Sequence, residues 1–124
     1  MAKPGSVIGW TLDANERGRL LDQFAPRYAK VVAHHVTLAT EAEDRDVPGA
    51  VCAAIVGRTD DEQGVEAMVV AIDGATARGD GSSFHITWSL GEGRRARESN
   101  DVLRERGWSE LDRPVPITLT PARI

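Results

Sequence analysis

The stretch FHITWSL, Phe84 to Leu90, decides how this sequence folds because its side chains alternate in polarity. Residues two apart on a β-strand share a face. One face carries the polar residues His85, Thr87 and Ser89. The other face is apolar and consists of Phe84, Ile86, Trp88 and Leu90. The pattern predicts a strand whose apolar face lies in the core, so that His85 and Thr87 point towards solvent or a cleft.

The stretch KVVAHHVTLAT, Lys30 to Thr40, repeats this pattern earlier in the chain. Strand alternation predicts one strand over the whole range, with His35 and Thr37 on one face. His34 then falls on the opposite face, towards Val36, where a packed and hydrogen-bonded histidine is expected. Two strands with His-x-Thr on one face are therefore predicted.

The remaining segments complete an α+β pattern. They are a strand at Ser6–Asp13, a helix at Asn15–Phe24 capped by Asn15, two strands joined by the turn TDDEQG, a helix at Ala96–Gly107 that ends at Gly107, and a strand at Val115–Thr120. Val65 to Ile72, after the turn, is apolar on both faces, which is typical of a central strand. Many strands with two segregated helices predict a mainly antiparallel sheet. No linker divides the 124 residues, so 1–124 is predicted to be a single domain.

Composition predicts a soluble protein of the cytoplasm. Apolar residues make up 41% of the chain and charged residues 27%, which is ordinary for a globular domain. No apolar run approaches the roughly 18 residues of a membrane helix. The start of the chain, MAKPGSVIGW, lacks the apolar centre of a secretory signal. The single cysteine, Cys52, cannot form an internal disulfide and is expected in the core.

A net charge of −4 argues against non-specific binding to duplex nucleic acid, which needs a positive surface. The basic run GRRAR, with Arg94, Arg95 and Arg97, still allows a local anion site because the arginine fork suits phosphate. A solvated loop explains the same run equally well.

Two imidazoles and two hydroxyls suit the hydrolysis of a phosphodiester. One ring can take a proton from water while the other protonates the leaving oxygen. The threonine hydroxyls can donate hydrogen bonds to the non-bridging oxygens. The alternative is that His and Thr stand on half-buried strands without a function, since threonine is a good strand former. No ligand set has the spacing of a metal site, so we predict no metal.

The motifs HVTL, from His35, and HITW, from His85, resemble those of the two-histidine (2H) phosphoesterases, the LigT-like cyclic phosphodiesterases. The resemblance implies two pseudo-symmetric lobes around a central cleft, and activity without a metal or cofactor. It implies a nucleotide or the 2′,3′-cyclic phosphate end of an RNA as substrate. The short spacing between the motifs resembles a compact branch, and ARESNDVL resembles RNA-repair-associated domains.

The resemblance also implies the roles of individual residues. His35 and His85 would be the acid and base in either order, and Thr37 and Thr87 would bind the phosphate. Residues that could also contact the substrate are Tyr28, Arg97, Ser99 and Asn100; packing by Tyr28 and helix capping by Ser99 and Asn100 are the alternatives.

Three functions remain open at this point. The first is a cyclic phosphodiesterase acting in RNA processing or repair. The second is a module that binds a nucleotide or RNA phosphate in the same cleft without turnover. The third is a structural or partner-binding domain, for which the sequence offers no apolar surface pattern.

Overall fold

A computed structural model describes residues 5–124, so Met1 to Pro4 of the N-terminal stretch lie outside the described residues. In chain order the elements are β1 (Ile8–Leu12), α1 (Ala14–Gln23), β2 (Lys30–Val31), β3 (His35–Ala39), β4 (Ala53–Asp60), β5 (Val65–Ile72), β6 (His85–Leu90), α2 (Glu98–Arg106), β7 (Ser109–Ile117) and β8 (Leu119–Arg123). Within residues 5–124, no helix has the length and apolar character needed to cross a membrane.

The strands form two antiparallel sheets, in the orders β3-β1-β8 and β2-β6-β5-β4-β7. The predicted α+β class is therefore confirmed, and β5 lies at the centre of the larger sheet as expected. Side chains of both sheets and of α1 share one core, which includes Trp10, Leu20, Val36 and Trp88. The sheets differ in size, and the predicted pseudo-symmetry of two lobes is not confirmed.

The prediction of one strand over Lys30–Thr40 is wrong, because the chain changes sheets in the middle of this range. β2 pairs with β6 in the larger sheet, whereas β3 pairs with β1 in the smaller one. The amide groups of Val32 and Ala33 still donate to β6 carbonyls, at 2.9 Å each. Ala33 then adopts a positive φ of 43°, which ends the strand alternation before His34.

The predicted final strand also divides into two. β7 pairs with β4, and β8 pairs with β1 in the other sheet. Between them Thr118 bonds to neither sheet: its amide donates to the Glu16 carboxylate at 2.8 Å, and its carbonyl accepts from the amide of Asp13 at 3.1 Å. Hydrogen bonds to α1 thus replace ladder bonds at this crossing.

Helix α1 supplies hydrogen bonds at both short crossings between the sheets. Its N-cap is Asp13, which accepts from two amides of the first turn, and not Asn15 as predicted. From the next turn, Arg17 donates to the carbonyls of Val32 (3.1 Å) and Ala33 (3.0 Å). Hydrogen bonds from α1 and its N-cap residue therefore support the backbone at each change of sheet.

Gly9 allows β1 and β3 to approach closely. A Cβ atom built on Gly9 would lie 2.0 Å from the carbonyl oxygen of Val36, a distance that requires the backbone to move. Gly9 pairs with Thr37 in the ladder. The position of the strand that carries His35 and Thr37 thus depends on the absence of a side chain at this residue.

A β-bulge in β6 changes which side chains share a face. Glu66 pairs with Ser89 and the next residue, Ala67, pairs with Thr87, so Trp88 is the extra residue. Ser89 consequently bonds to the buried Glu66 at 2.7 Å, and Leu90 packs with Val65 and Val102 in a second apolar cluster. The predicted faces are right as far as Trp88 and wrong for Ser89 and Leu90.

Cys52 is exposed, so the prediction that it lies in the core is wrong.

Candidate functional site

Four side chains from two different sheets line one cavity of about 230 Å³. His35 and Thr37 come from β3, at the edge of the smaller sheet, and His85 and Thr87 come from β6 in the larger sheet. His85 and Thr87 are nearly buried, with 9% and 8% of their surface exposed, so their polar atoms have little contact with solvent beyond this cavity. The two His-x-Thr segments therefore meet at one location.

His85 is held by a backbone carbonyl. Its Nδ1 lies 2.9 Å from the oxygen of Ser83, so Nδ1 carries a proton and Nε2 is the ring nitrogen left for another partner. Burial lowers the pKa of His85, the Ser83 carbonyl raises it, and the positive charge of Arg78 lowers it further, with a net shift downward.

His35 is held by a second imidazole. Its Nδ1 lies 3.0 Å from Nδ1 of His34, and the two rings meet edge to face with centroids 5.2 Å apart. Burial, and to a lesser extent the neighbouring imidazoles of His34 and His85, lower the pKa of His35 to about 4. The prediction that His34 packs on the opposite face is wrong, because His34 precedes β3 and is exposed.

The hydroxyl of Thr87 is oriented by helix α2. Its Oγ1 lies 2.9 Å from Oγ of Ser99, which is fully buried, and 3.3 Å from the carbonyl of Ala96. Thr87 donates to the Ala96 carbonyl, so with Ser99 as donor to Thr87 the threonine proton reaches an anion in the cavity only by rotation of the hydroxyl away from that carbonyl. The half-buried Thr37 lines the cavity from β3.

Arg78 is a cavity residue that the sequence patterns missed. It belongs to the glycine-rich loop before β6, and its guanidinium donates to Asn100 Oδ1 at 3.1 Å and to the Thr37 carbonyl at 3.4 Å. Its side chain is only 10% exposed. Asp80 contacts the same guanidinium at 3.4 Å. The sequence signal that could have identified Arg78 is its position as a single arginine in the loop that leads directly into HITW.

The other residues predicted to contact the substrate differ in their position relative to the cavity. Arg97 and Asn100 line the cavity. Ser99 lies behind it and reaches it only through Thr87. Tyr28 does not line it; its hydroxyl donates to Asp60 at 2.7 Å, so the predicted stacking role is not supported.

The charges around the cavity favour an anion. Arg78 and Arg97 contribute two positive charges and Asp80 one negative charge, which leaves +1 when both imidazoles are neutral. Hydrogen bonds from Ser82, and then the charge of Arg78, lower the pKa of Asp80 to about 2 and keep it ionised. Residues 5–124 contain no group of three His, Cys, Asp or Glu side chains arranged to hold a metal ion. Two imidazoles with free Nε2 atoms, hydroxyl donors and one net positive charge can bind a phosphodiester and exchange protons with it.

The lowered pKa of His35 makes stability depend on pH. As the pH falls below the ordinary histidine pKa of about 6.5, His35 is protonated in the unfolded chain. In the folded protein it is protonated only near pH 4, so acidification favours the unfolded state. We expect the free energy of unfolding to fall between pH 7.5 and pH 5, with His35 accounting for about 1–2 kcal/mol after allowance for partial exposure. His85 acts in the same direction.

Urea unfolding of the wild-type protein and of His35→Gln at both pH values measures this contribution. The variant should lose less stability than the wild type on acidification. The carboxylates whose pKa is lowered, such as Asp80, act only at lower pH and do not obscure the comparison. An equal loss in both proteins would contradict the assignment.

Comparison with known proteins leaves the site to be interpreted from its own geometry. No protein-family model matches the chain, and no curated protein or solved structure matches it.

Proposed function

We propose that this protein is a metal-independent phosphodiesterase that hydrolyses a cyclic phosphate, such as the 2′,3′-cyclic phosphate of an RNA end or of a nucleotide. One observation carries the proposal: two imidazoles from different sheets border one cavity, and each has its Nδ1 engaged elsewhere. Each ring thus has only Nε2 for a substrate. Resemblance of the HVTL and HITW motifs to the two-histidine phosphoesterases points to the same chemistry.

In the proposed reaction His35 is the base and His85 the acid. Nε2 of His35 takes a proton from water, the water oxygen bonds to phosphorus, and the bond from phosphorus to one ribose oxygen breaks. His85 gives a proton to that oxygen, so the product is a phosphomonoester with a free hydroxyl. Burial lowers the pKa of His85 and the Ser83 carbonyl, which accepts from Nδ1–H, opposes that shift, whereas His35 has a pKa of about 4 and is neutral near pH 7.

The developing negative charge would be stabilised by hydroxyls and by Arg78. Thr37 and Thr87 can each donate to a non-bridging oxygen, and the guanidinium of Arg78 adds a positive charge in a largely buried location. The bound phosphodiester also brings a negative charge next to His85. This charge raises the pKa of His85, so that His85 can be protonated when substrate binds.

The size of the cavity supports recognition of the phosphate and ribose. Pockets for drug-sized molecules begin at about 300 Å³, and this cavity holds about 230 Å³. The base would then lie outside, so that a free nucleotide and an RNA end can present the same cyclic ester. A role in RNA processing or repair and a cytoplasmic location belong to this proposal, and the acidic net charge of −4 argues against binding along a duplex.

A second candidate is a module that binds a nucleotide or RNA phosphate without hydrolysing it. The specific observation in its favour is the low pKa of His35, about 4, together with the lowered pKa of His85. Two neutral imidazoles beside Arg78 can hold an anion with no proton transferred.

Incubation with 2′,3′-cyclic nucleotides and with oligonucleotides that end in a cyclic phosphate separates the two candidates. We expect conversion to a phosphomonoester in the presence of a chelator. Thr37→Val should lower kcat/KM by about 10-fold or more through loss of a hydroxyl donor, whereas Thr120→Val, the same change at an exposed β8 residue, should not. Saturable binding of a cyclic nucleotide in calorimetry with no product would favour the binding module and contradict the enzyme.

A further inference from the structure

His34 contacts the cavity only through its neighbour. It stands outside the His-x-Thr motif, is exposed, and does not line the cavity. Its Nδ1 nevertheless lies 3.0 Å from Nδ1 of His35, at hydrogen-bond distance. The positive φ of Ala33 turns the chain so that two successive side chains can meet, which strand geometry forbids.

A hydrogen bond between two Nδ1 atoms holds one proton, and its location decides the tautomer of both rings. If His35 carries the proton, its Nε2 has a free lone pair in the cavity and can accept a proton from water. If His34 carries the proton, neutral His35 must be protonated on Nε2, where it cannot act as a base.

We propose that His34 is a positioning residue that accepts the Nδ1–H hydrogen bond of His35 and thereby keeps the Nε2 lone pair of His35 available to the substrate. The inference rests on the proposed function for its catalytic meaning, but the tautomer itself is a property of the protein alone. The arrangement parallels that of His85, where the Ser83 carbonyl is the acceptor.

Two substitutions at His34 test the inference because they differ in the acceptor. His34→Asn places an amide oxygen near the former Nδ1, whereas His34→Leu has no acceptor. Nitrogen chemical shifts of His35 in labelled protein at pH 7.5 should report protonated Nδ1 in the wild type and in His34→Asn. In His34→Leu we expect a mixture of tautomers.

Kinetics supply the second readout. We expect His34→Leu to lower kcat about 10–100-fold with little change in KM, and His34→Asn to recover most of the loss.

Each outcome has a distinct meaning. Protonated Nε2 in wild-type His35, or an unchanged tautomer and kcat in His34→Leu, overturns the inference. Absence of hydrolysis by the wild type contradicts the proposed function, and the chemical shifts then still decide whether His34 sets the tautomer.

Discussion

The variant His85→Gln is expected to hydrolyse cyclic phosphate about 10²–10⁴-fold more slowly than the wild-type protein. Glutamine fills much of the same space, but its amide delivers no proton to the leaving oxygen at neutral pH. His35→Gln should show a loss of the same order because it removes the proposed base. Initial rates of monoester formation, with folding checked by circular dichroism, measure both.

The double variant makes the test sharper. Two groups that act in one proton relay are not additive, so His35→Gln combined with His85→Gln should be little slower than the worse single variant. If the rate reductions of the two single variants multiplied in the double variant, His35 and His85 would act independently. Near-wild-type hydrolysis by either single variant would remove the proposed mechanism, whatever the pair does.

Gly9→Ala is expected to lower the free energy of unfolding by about 3 kcal/mol or more, above the usual range for overpacking. Its new Cβ would meet the Val36 carbonyl at 2.0 Å and the Cα of Thr37 at 3.1 Å. These contacts are backbone atoms that cannot rotate away, so β1 and β3 must separate. Because β3 carries His35, we also expect the remaining folded protein to lose hydrolytic activity. Urea unfolding and rates on folded protein measure the two effects.

Gly18→Ala is the matched control for this substitution. Gly18 lies within α1, and a Cβ atom there meets no atom within 4 Å. The same added methyl group should raise stability by about 0.5–1 kcal/mol through helix propensity and leave activity unchanged. If Gly9→Ala were as stable as Gly18→Ala, the close approach of β1 and β3 would not be a property of the protein in solution.

Local periodicity was enough to predict the features that depend on one strand. The apolar row ending at Trp88 identified the buried face of β6, and His85 and Thr87 point away from it into a cavity. Val65–Ile72 was recognised as central for the same reason. Gly107, with a φ of 67°, ends α2 as expected.

The features that periodicity missed arise where tertiary contacts determine the backbone. Alternation assumes a continuous strand, and nothing in KVVAHH distinguishes the left-handed Ala33 from its neighbours. The bulge at Trp88 and the crossing at Thr118 are equally invisible, since each depends on partners far away in sequence. Arg78 lies in an irregular loop, where no repeating pattern of residues indicates which way its side chain points.

Helix α1 contributes no side chain to the cavity, yet it forms hydrogen bonds at both passages between the two sheets that carry the cavity walls. Arg17 bonds to one passage between the sheets, and Asp13 and Glu16 bond to the other. The two histidines belong to different sheets, and these hydrogen bonds lie where the chain passes from one sheet to the other. A substitution on α1 that removes one of these bonds would therefore disturb the junction of the two sheets without changing any residue of the cavity.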